Sequence, residues 1–145
     1  VLPAVGALPS SIRPRYFDVF CEQGAFTLGQ TRRLLGAAAG MGLALKVHAD
    51  EFSALGGAGL AAELGAVSAD HLACTPLCDL ERMAAAGVVA VLLPGVSFFL
   101  DYDYAPARKL IEQNAIVALS TDFNPGSSHI SNLHFIMQLA ALNLR

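Results

Sequence analysis

Charge is scarce in this sequence. Lysine and arginine total 9 and aspartate and glutamate 12 of 145 residues, so only 14% are charged and the net charge is -3. A nucleic-acid footprint needs clustered Lys and Arg. Here the basic residues are scattered, and Arg32-Arg33 falls on a predicted helix, where a solvated face explains it. Cysteine is scarce as well: Cys21, Cys74 and Cys78 are odd in number and irregular in spacing, which argues against a disulfide framework. Cys74 and Cys78 have no second pair with which to form a zinc knuckle, so free thiols in a reducing cytosol are the plain expectation. There is no tryptophan. No apolar run reaches the roughly 18 residues that suggest a membrane span. No basic n-region marks a signal peptide, so a cytoplasmic protein is expected. No Gly-x-Gly-x-x-Gly opens a helix; Gly56-Gly57-x-Gly59 is the nearest approach.

Apolar residues, by contrast, are abundant: 54% of the chain is hydrophobic, with a mean hydropathy of +0.53. That is too apolar for disorder. It suits the inside of a larger protein, rich in strands buried on both faces. Both ends look cut. Val1 to Val5 reads as the tail of an element, and Ala140 to Arg145 as a helix stopped midway. The expectation is one domain over 1–145, truncated at both ends.

Along the chain, strands and helices alternate. Phe17 to Cys21 is a β-branched and aromatic strand, and Glu22 to Phe26 a turn. Thr27 is a suitable N-cap for a helix to about Ala39. Leu43 to His48 is the second strand. Gly56-Gly57 opens a helix that Gly65 stops after Leu64. Val67 to Leu72 is the third strand, and a helix starting near Pro76 runs to about Ala86. Val88 to Leu93 is the fourth strand. A loop with Phe98, Phe99, Tyr102 and Tyr104 then leads to a helix from about Pro106 to Gln113. Ile116 to Thr121 is the fifth strand, and a last helix is predicted from near Ser128.

This alternation predicts an α/β fold with a parallel sheet. The period suits a (β/α)8 barrel or a doubly wound sheet, and the polar residues favour the barrel. Glu22, His48, Glu51, His71 and Asp122 all lie at or just past strand ends, where barrel enzymes place their chemistry. Five units do not close a barrel, so a partial (β/α)8 TIM barrel is predicted.

His48, His71 and Asp122 sit at separate strand tips. Neutral imidazole and carboxylate are natural ligands for zinc or iron, and such an ion lowers the pKa of a bound water. Each residue also has a bland reading: a hydrogen-bonded structural histidine, or an aspartate capping a helix. Glu51 could carry protons to a leaving nitrogen, or cap the next helix. Asn124 offers an amide, Gly126 lets backbone approach a ligand, and Ser127 and Ser128 are predicted to sit at a helix N-terminus, a place that favours carboxylates and other anions. His129 and His134 read as structural helix residues, and Tyr102 and Tyr104 as packing groups.

At these residues the chain resembles imidazolonepropionase, a metal-dependent family of the amidohydrolase superfamily. The resemblance lies in Asp18-Val19-Phe20-Cys21-Glu22 with Gly24-Ala25-Phe26, Lys46-Val47-His48-Ala49-Asp50-Glu51, and Ser68-Ala69-Asp70-His71-Leu72. It continues in Leu92-Leu93-Pro94-Gly95 and in Ser120-Thr121-Asp122-Phe123-Asn124-Pro125-Gly126-Ser127-Ser128. It implies the fourth to eighth strands of a barrel and hydrolysis of the ring C–N bond of 4-imidazolone-5-propanoate to N-formimidoyl-L-glutamate, in histidine degradation. It implies His48 and Asp122 as ligands of a zinc or iron ion, and Glu51, His71 and Asp122 as catalytic. It further implies that Glu51, His71, Asn124, Gly126 and Ser127 contact the small-molecule substrate. No nucleic acid or membrane is implied, and a homodimer at full length is allowed. The family's His-x-His motif does not occur in the sequence, so the chain alone is expected to be inactive. The alternatives are another amidohydrolase, cytosine deaminase-like or chlorohydrolase-like, and a non-catalytic flavodoxin-like binding module. A flavodoxin-like sheet would reverse its strand order at a switch point.

Overall fold

The computed structural model describes residues 2–9 and 11–144; Val1 and Arg145, at the two ends noted above, lie outside the described residues. A short helix α1 (Leu2–Gly6) precedes strand β1 (Tyr16–Cys21). Then come α2 (Leu28–Gly40), β2 (Ala44–Ala49), α3 (Gly57–Leu64), β3 (Ser68–His71), α4 (Leu77–Ala86) and β4 (Val89–Leu92). The chain continues through α5 (Pro94–Leu100), α6 (Ala107–Glu112), β5 (Val117–Leu119) and α7 (Leu133–Asn143).

All five strands are parallel and lie in the order β1-β2-β3-β4-β5. Each strand pairs with the one before it, with no reversal of order. That is the topology of a barrel segment and not of a flavodoxin-like sheet. The fold is therefore a partial (β/α)8 barrel with β1 and β5 at its edges.

Register divides the strands into two faces. Val19, Val47, Ala69, Ala90 and Val117 form one row across the sheet. The first four are buried, under α2, α3 and α4, and Leu35, Leu80, Met83 and Leu110 complete the core. The opposite face carries the rows Asp18–Lys46–Ser68 and Phe20–His48–Asp70–Val91. This face is polar and half open at β1 and β2. The expectation that strands are buried on both faces thus holds for β3 alone, where all four residues are buried. The apolar runs elsewhere reflect a helix-covered face alternating with mixed residues.

Local sequence accounts for the helices that matter to the site. Thr27 and Gln30 form a capping box: Gln30 N–H donates to Thr27 Oγ1 at 3.3 Å, and Thr27 N–H to Gln30 Oε1 at 2.9 Å. Gly57 starts α3 against the β2 tip. A Cβ added there would stand 2.8 Å from Ala49 Cβ, so glycine is what allows that approach.

Two predicted boundaries differ. The aromatic segment after β4 is not wholly loop: residues 94–100 form α5, started by Pro94 at a favoured first position. The last helix starts at Leu133, not near Ser128. Asn132 is its cap, accepting from His134 N–H at 2.9 Å and Phe135 N–H at 3.3 Å. His134 is therefore helical as expected, whereas His129 lies in the preceding loop.

Candidate active site

The C-terminal tips of β1, β2, β3 and β5 surround an open cleft of about 450 Å³. Its wall includes His48, Glu51, His71, Asp122, Asn124 and Ser127, with Asp18 and Phe20 from β1. Six of the seven expected site residues therefore face one space. Gly126 is the exception: it lies behind Asn124 and donates its N–H to Asn124 Oδ1 at 2.8 Å.

β2 delivers His48 by strand alternation, on the open face beside Asp70 of β3. His48 Nδ1 lies 3.1 Å from Asp18 Oδ1 and 4.0 Å from Asp70 Oδ2. Asp70 is itself bound by Lys46 Nζ at 3.1 Å and by the Ser68 hydroxyl at 3.0 Å. The Asp18 hydrogen bond raises the pKa of His48 against the opposing effect of burial, with Asp70 and Asp122 adding to it.

Beyond β2 two adjacent acids take different directions. Asp50 has a left-handed backbone (φ 51°) and its side chain turns inward. Oδ1 accepts from Gly56 N–H at 3.0 Å and Gly57 N–H at 3.2 Å, and Oδ2 from Ala58 N–H and the Thr75 hydroxyl, both at 3.2 Å. The helix-capping acid is therefore Asp50, which leaves Glu51 for the cleft. The backbone at Glu51 is held by Glu22: Oε2 accepts from the N–H groups of Glu51, Phe52 and Ser53 at 3.1, 3.0 and 3.4 Å. Burial opposes the ionisation of Glu22. The Ser53 hydroxyl with the N–H groups of Phe52, Gln23 and Ser53 outweighs it and holds the pKa below its ordinary value.

Burial pushes Glu51 up to about 7, and the negative Asp122 and Glu22 add to the effect. His71 moves the other way, to about 4, through burial and the neighbouring His48. It is a neutral imidazole at neutral pH, 5.3 Å from the His48 ring centre to centre. Its Nδ1 lies 3.4 Å from Glu51 Oε1, yet it is buried without a hydrogen-bond partner among the described residues.

Asp122 follows β5, also with positive φ (47°), and burial raises its pKa. The turn beyond it is organised by Asn124. Its Nδ2 donates to Asp122 O at 2.7 Å, Asp122 Oδ2 at 3.2 Å and Ser127 Oγ at 2.8 Å, and its Oδ1 accepts from Gly126 and Ser127 N–H, each at 2.8 Å. Asn124 N–H also reaches Ser128 O at 2.9 Å. Ser127 and Ser128 thus close a turn and do not open a helix, so no helix N-terminus favours an anion at that point.

One ligand atom from each of His48, His71 and Asp122 lies within 4.8 Å of the others. Two imidazoles and a carboxylate, one imidazole neutral with a buried nitrogen that has no hydrogen-bond partner among the described residues, fit a divalent or ferric ion. Tyr102, expected to pack, donates its hydroxyl to Glu51 Oε1 at 3.3 Å. Asp18, Lys46 and Asp70 are further groups about the site. Their signal was present in the sequence, as charges inside otherwise apolar strands.

Sequential parallel strands with histidines and an aspartate at their tips define the class: part of a (β/α)8-type barrel with a candidate metal site at its strand ends. Solved structures agree on the fold. An adenosine deaminase from Xanthomonas campestris with bound zinc superposes with a TM-score of 0.69 at 17% identity, covering 89% of this chain and 32% of that one. An atrazine chlorohydrolase from Arthrobacter aurescens, complexed with zinc and atraton, gives 0.66 at 20% identity, over 88% and 31%. No protein-family model matches the chain. The curated relatives it matches in sequence are imidazolonepropionases. The chain is 55% identical over 130 residues to that of Desulfotalea psychrophila and 53% over 131 to that of Alkaliphilus metalliredigens, each over 90% of this chain and 31% of the relative. Against the imidazolonepropionase of Syntrophobacter fumaroxidans it is 46% identical over 99% of its length, and 33% of the relative is covered. The chain thus spans about a third of the length of these relatives, and the resemblance read from its motifs holds along nearly all of it.

Proposed function

We propose that this chain supplies part of the active site of an enzyme that hydrolyses the ring C–N bond of 4-imidazolone-5-propanoate, giving N-formimidoyl-L-glutamate. The observation that carries the reading is the convergence of His48, His71 and Asp122 beside Glu51 in a chain 55% identical to an imidazolonepropionase.

His48 and Asp122 would hold a zinc or iron ion, which when bound supplies a Lewis acid and a water of lowered pKa. The chain's own groups do the remaining work. Glu51, buried and with its pKa near 7, accepts a proton from the attacking water and returns it to the departing ring nitrogen. Asp122 is a second acceptor at the same cleft. His71, neutral at working pH, contacts the substrate or the attacking water. Ser127 and the Asn124 turn hold the substrate, with Gly126 keeping that turn tight by its bond to Asn124. Asn124 serves by shaping the turn, since its amide is engaged within it.

The test is an assay of the full-length protein, metal-loaded, against 4-imidazolone-5-propanoate and a panel of deaminase and chlorohydrolase substrates. Loss of the imidazolone absorbance with formation of N-formimidoyl-L-glutamate is expected. Turnover of a panel member in its place would assign the site to another amidohydrolase chemistry.

A further inference from the structure

Glu51 is approached from two sides. Its carboxylate lines the cleft, and Tyr102 is not among the cleft's lining residues. Tyr102 borders instead a separate narrow void of about 10 Å³, together with His71, Leu93 and Ser97. That space is at the lower limit for one water, and the half-buried Tyr102 meets Glu51 from its side rather than from the cleft. Its hydroxyl donates to Oε1 at 3.3 Å. Its ring meets Phe52 edge-on at 5.4 Å, and its N–H donates to Ser97 O at 3.2 Å. Burial and the nearby Glu51 push the phenol pKa up, which keeps the hydroxyl a donor. Among the described residues, no hydrogen bond is made to Glu51 Oε2.

We propose that Tyr102 is a positioning residue for Glu51: its O–H fixes Oε1 from behind and leaves Oε2 to meet the proton in the cleft. The terminal torsion of a glutamate is soft, and a proton-carrying group must be held to within about 0.5 Å to be effective. Glu22 fixes the backbone of this loop, but not the Glu51 carboxylate. Tyr102 supplies that missing restraint, 51 residues away in sequence. The inference rests on the proposed role of Glu51 in proton transfer.

The test uses the full-length, metal-loaded protein with Tyr102→Phe, Glu51→Gln and the double variant. Phenylalanine keeps the ring against Phe52, and a melting curve checks that the variant is folded. Tyr102→Phe is expected to lower kcat about tenfold with KM changed less than twofold. In the Glu51→Gln background the same substitution is expected to have no further effect. A wild-type kcat in Tyr102→Phe, or an equal loss in both backgrounds, would overturn the proposal. A readout that needs no substrate accompanies it: the ¹³C shift of the Glu51 carboxyl, assigned by its disappearance in Glu51→Gln. It should move on Tyr102→Phe, and an unmoved signal also overturns the proposal. Inactivity of the unsubstituted protein on the imidazolone sinks the proposed reaction alone, and the carbon shift then decides the Tyr102 bond.

Discussion

Oδ1 of Asp18 stands 3.1 Å from Nδ1 of His48, across the β1–β2 pair. With Nδ1 so engaged, Nε2 is the nitrogen left for a ligand, and the carboxylate makes the ring more basic. In the metal-free protein, Asp18→Asn should therefore lower the His48 titration midpoint towards the ordinary histidine value, since Asp18 is the main cause of its elevation. The linked stability has a definite sign. A raised histidine pKa stabilises the fold below the unfolded value and loses that contribution as pH rises through the folded one. The variant should thus be weakest relative to wild type on the acid side, with the gap closing towards alkaline pH. Histidine NMR titration and melting curves at several pH values check both points; a midpoint that stays put would assign the shift to something other than Asp18.

Glu51 carries the opposite consequence for an acid. Its folded pKa of about 7 lies above the ordinary 4.5, so ionising it opposes folding. Its contribution is full below the ordinary value and is lost as pH rises through about 7. Metal-free Glu51→Gln should gain stability relative to wild type between pH 4 and pH 8, on the order of 3 kcal/mol. In the active protein the same substitution should cost about 10²–10⁴-fold in kcat. Stability equal to wild type at both ends of that range would show that Glu51 titrates normally.

Asp50 should matter for a different reason. It is fully buried and takes four donors, three of them N–H groups at the start of α3. Alanine there removes the cap and strands those donors, a loss of about 2–4 kcal/mol. It also destabilises a left-handed backbone position that Asp or Asn tolerates better. Chemical denaturation should show Asp50→Ala well below wild type and Asp50→Asn between them. A loss under 1 kcal/mol for alanine would mean that water takes over the cap.

The strand tips were legible in the sequence because alternation and apolar runs are local signals. So was the barrel, although the spacing alone also suits a doubly wound sheet: the polar residues at successive strand ends decided it. Glu51 was singled out in the sequence, but that Asp50 is the acid that caps α3 was not legible: it depends on a backbone turn at Asp50 and on donors from Gly56 to Ala58. Helix α5 was missed because Pro94 to Leu100 has no polar face, with residues 94–97 buried. The start of α7 was misplaced because Ser127 and Ser128 resemble caps, while the bond from Asn124 N–H to Ser128 O turns the chain first. The Tyr102–Glu51 bond joins two loops, and nothing local to either announces it.

The ion-binding proposal can be tested by contrasting two aspartates near His48. Asp122 groups with His48 and His71, and Asp70 with His48 and Asp18. The two sets differ in what already occupies the carboxylate. Asp70 is bound by Lys46 Nζ at 3.1 Å and the Ser68 hydroxyl at 3.0 Å, so its charge is answered within the sheet. Among the described residues the Asp122 carboxylate receives only a 3.2 Å contact from Asn124 on Oδ2, and Asp122 lies on the cleft wall with His71. Asp122→Asn should therefore strip most of the metal from the full-length protein, as should His48→Ala. Asp70→Asn should keep near wild-type stoichiometry, with lower stability from the stranded lysine. Elemental analysis of folded, dialysed protein measures this directly, and retention of metal by Asp122→Asn with loss from Asp70→Asn would move the ion to the second set.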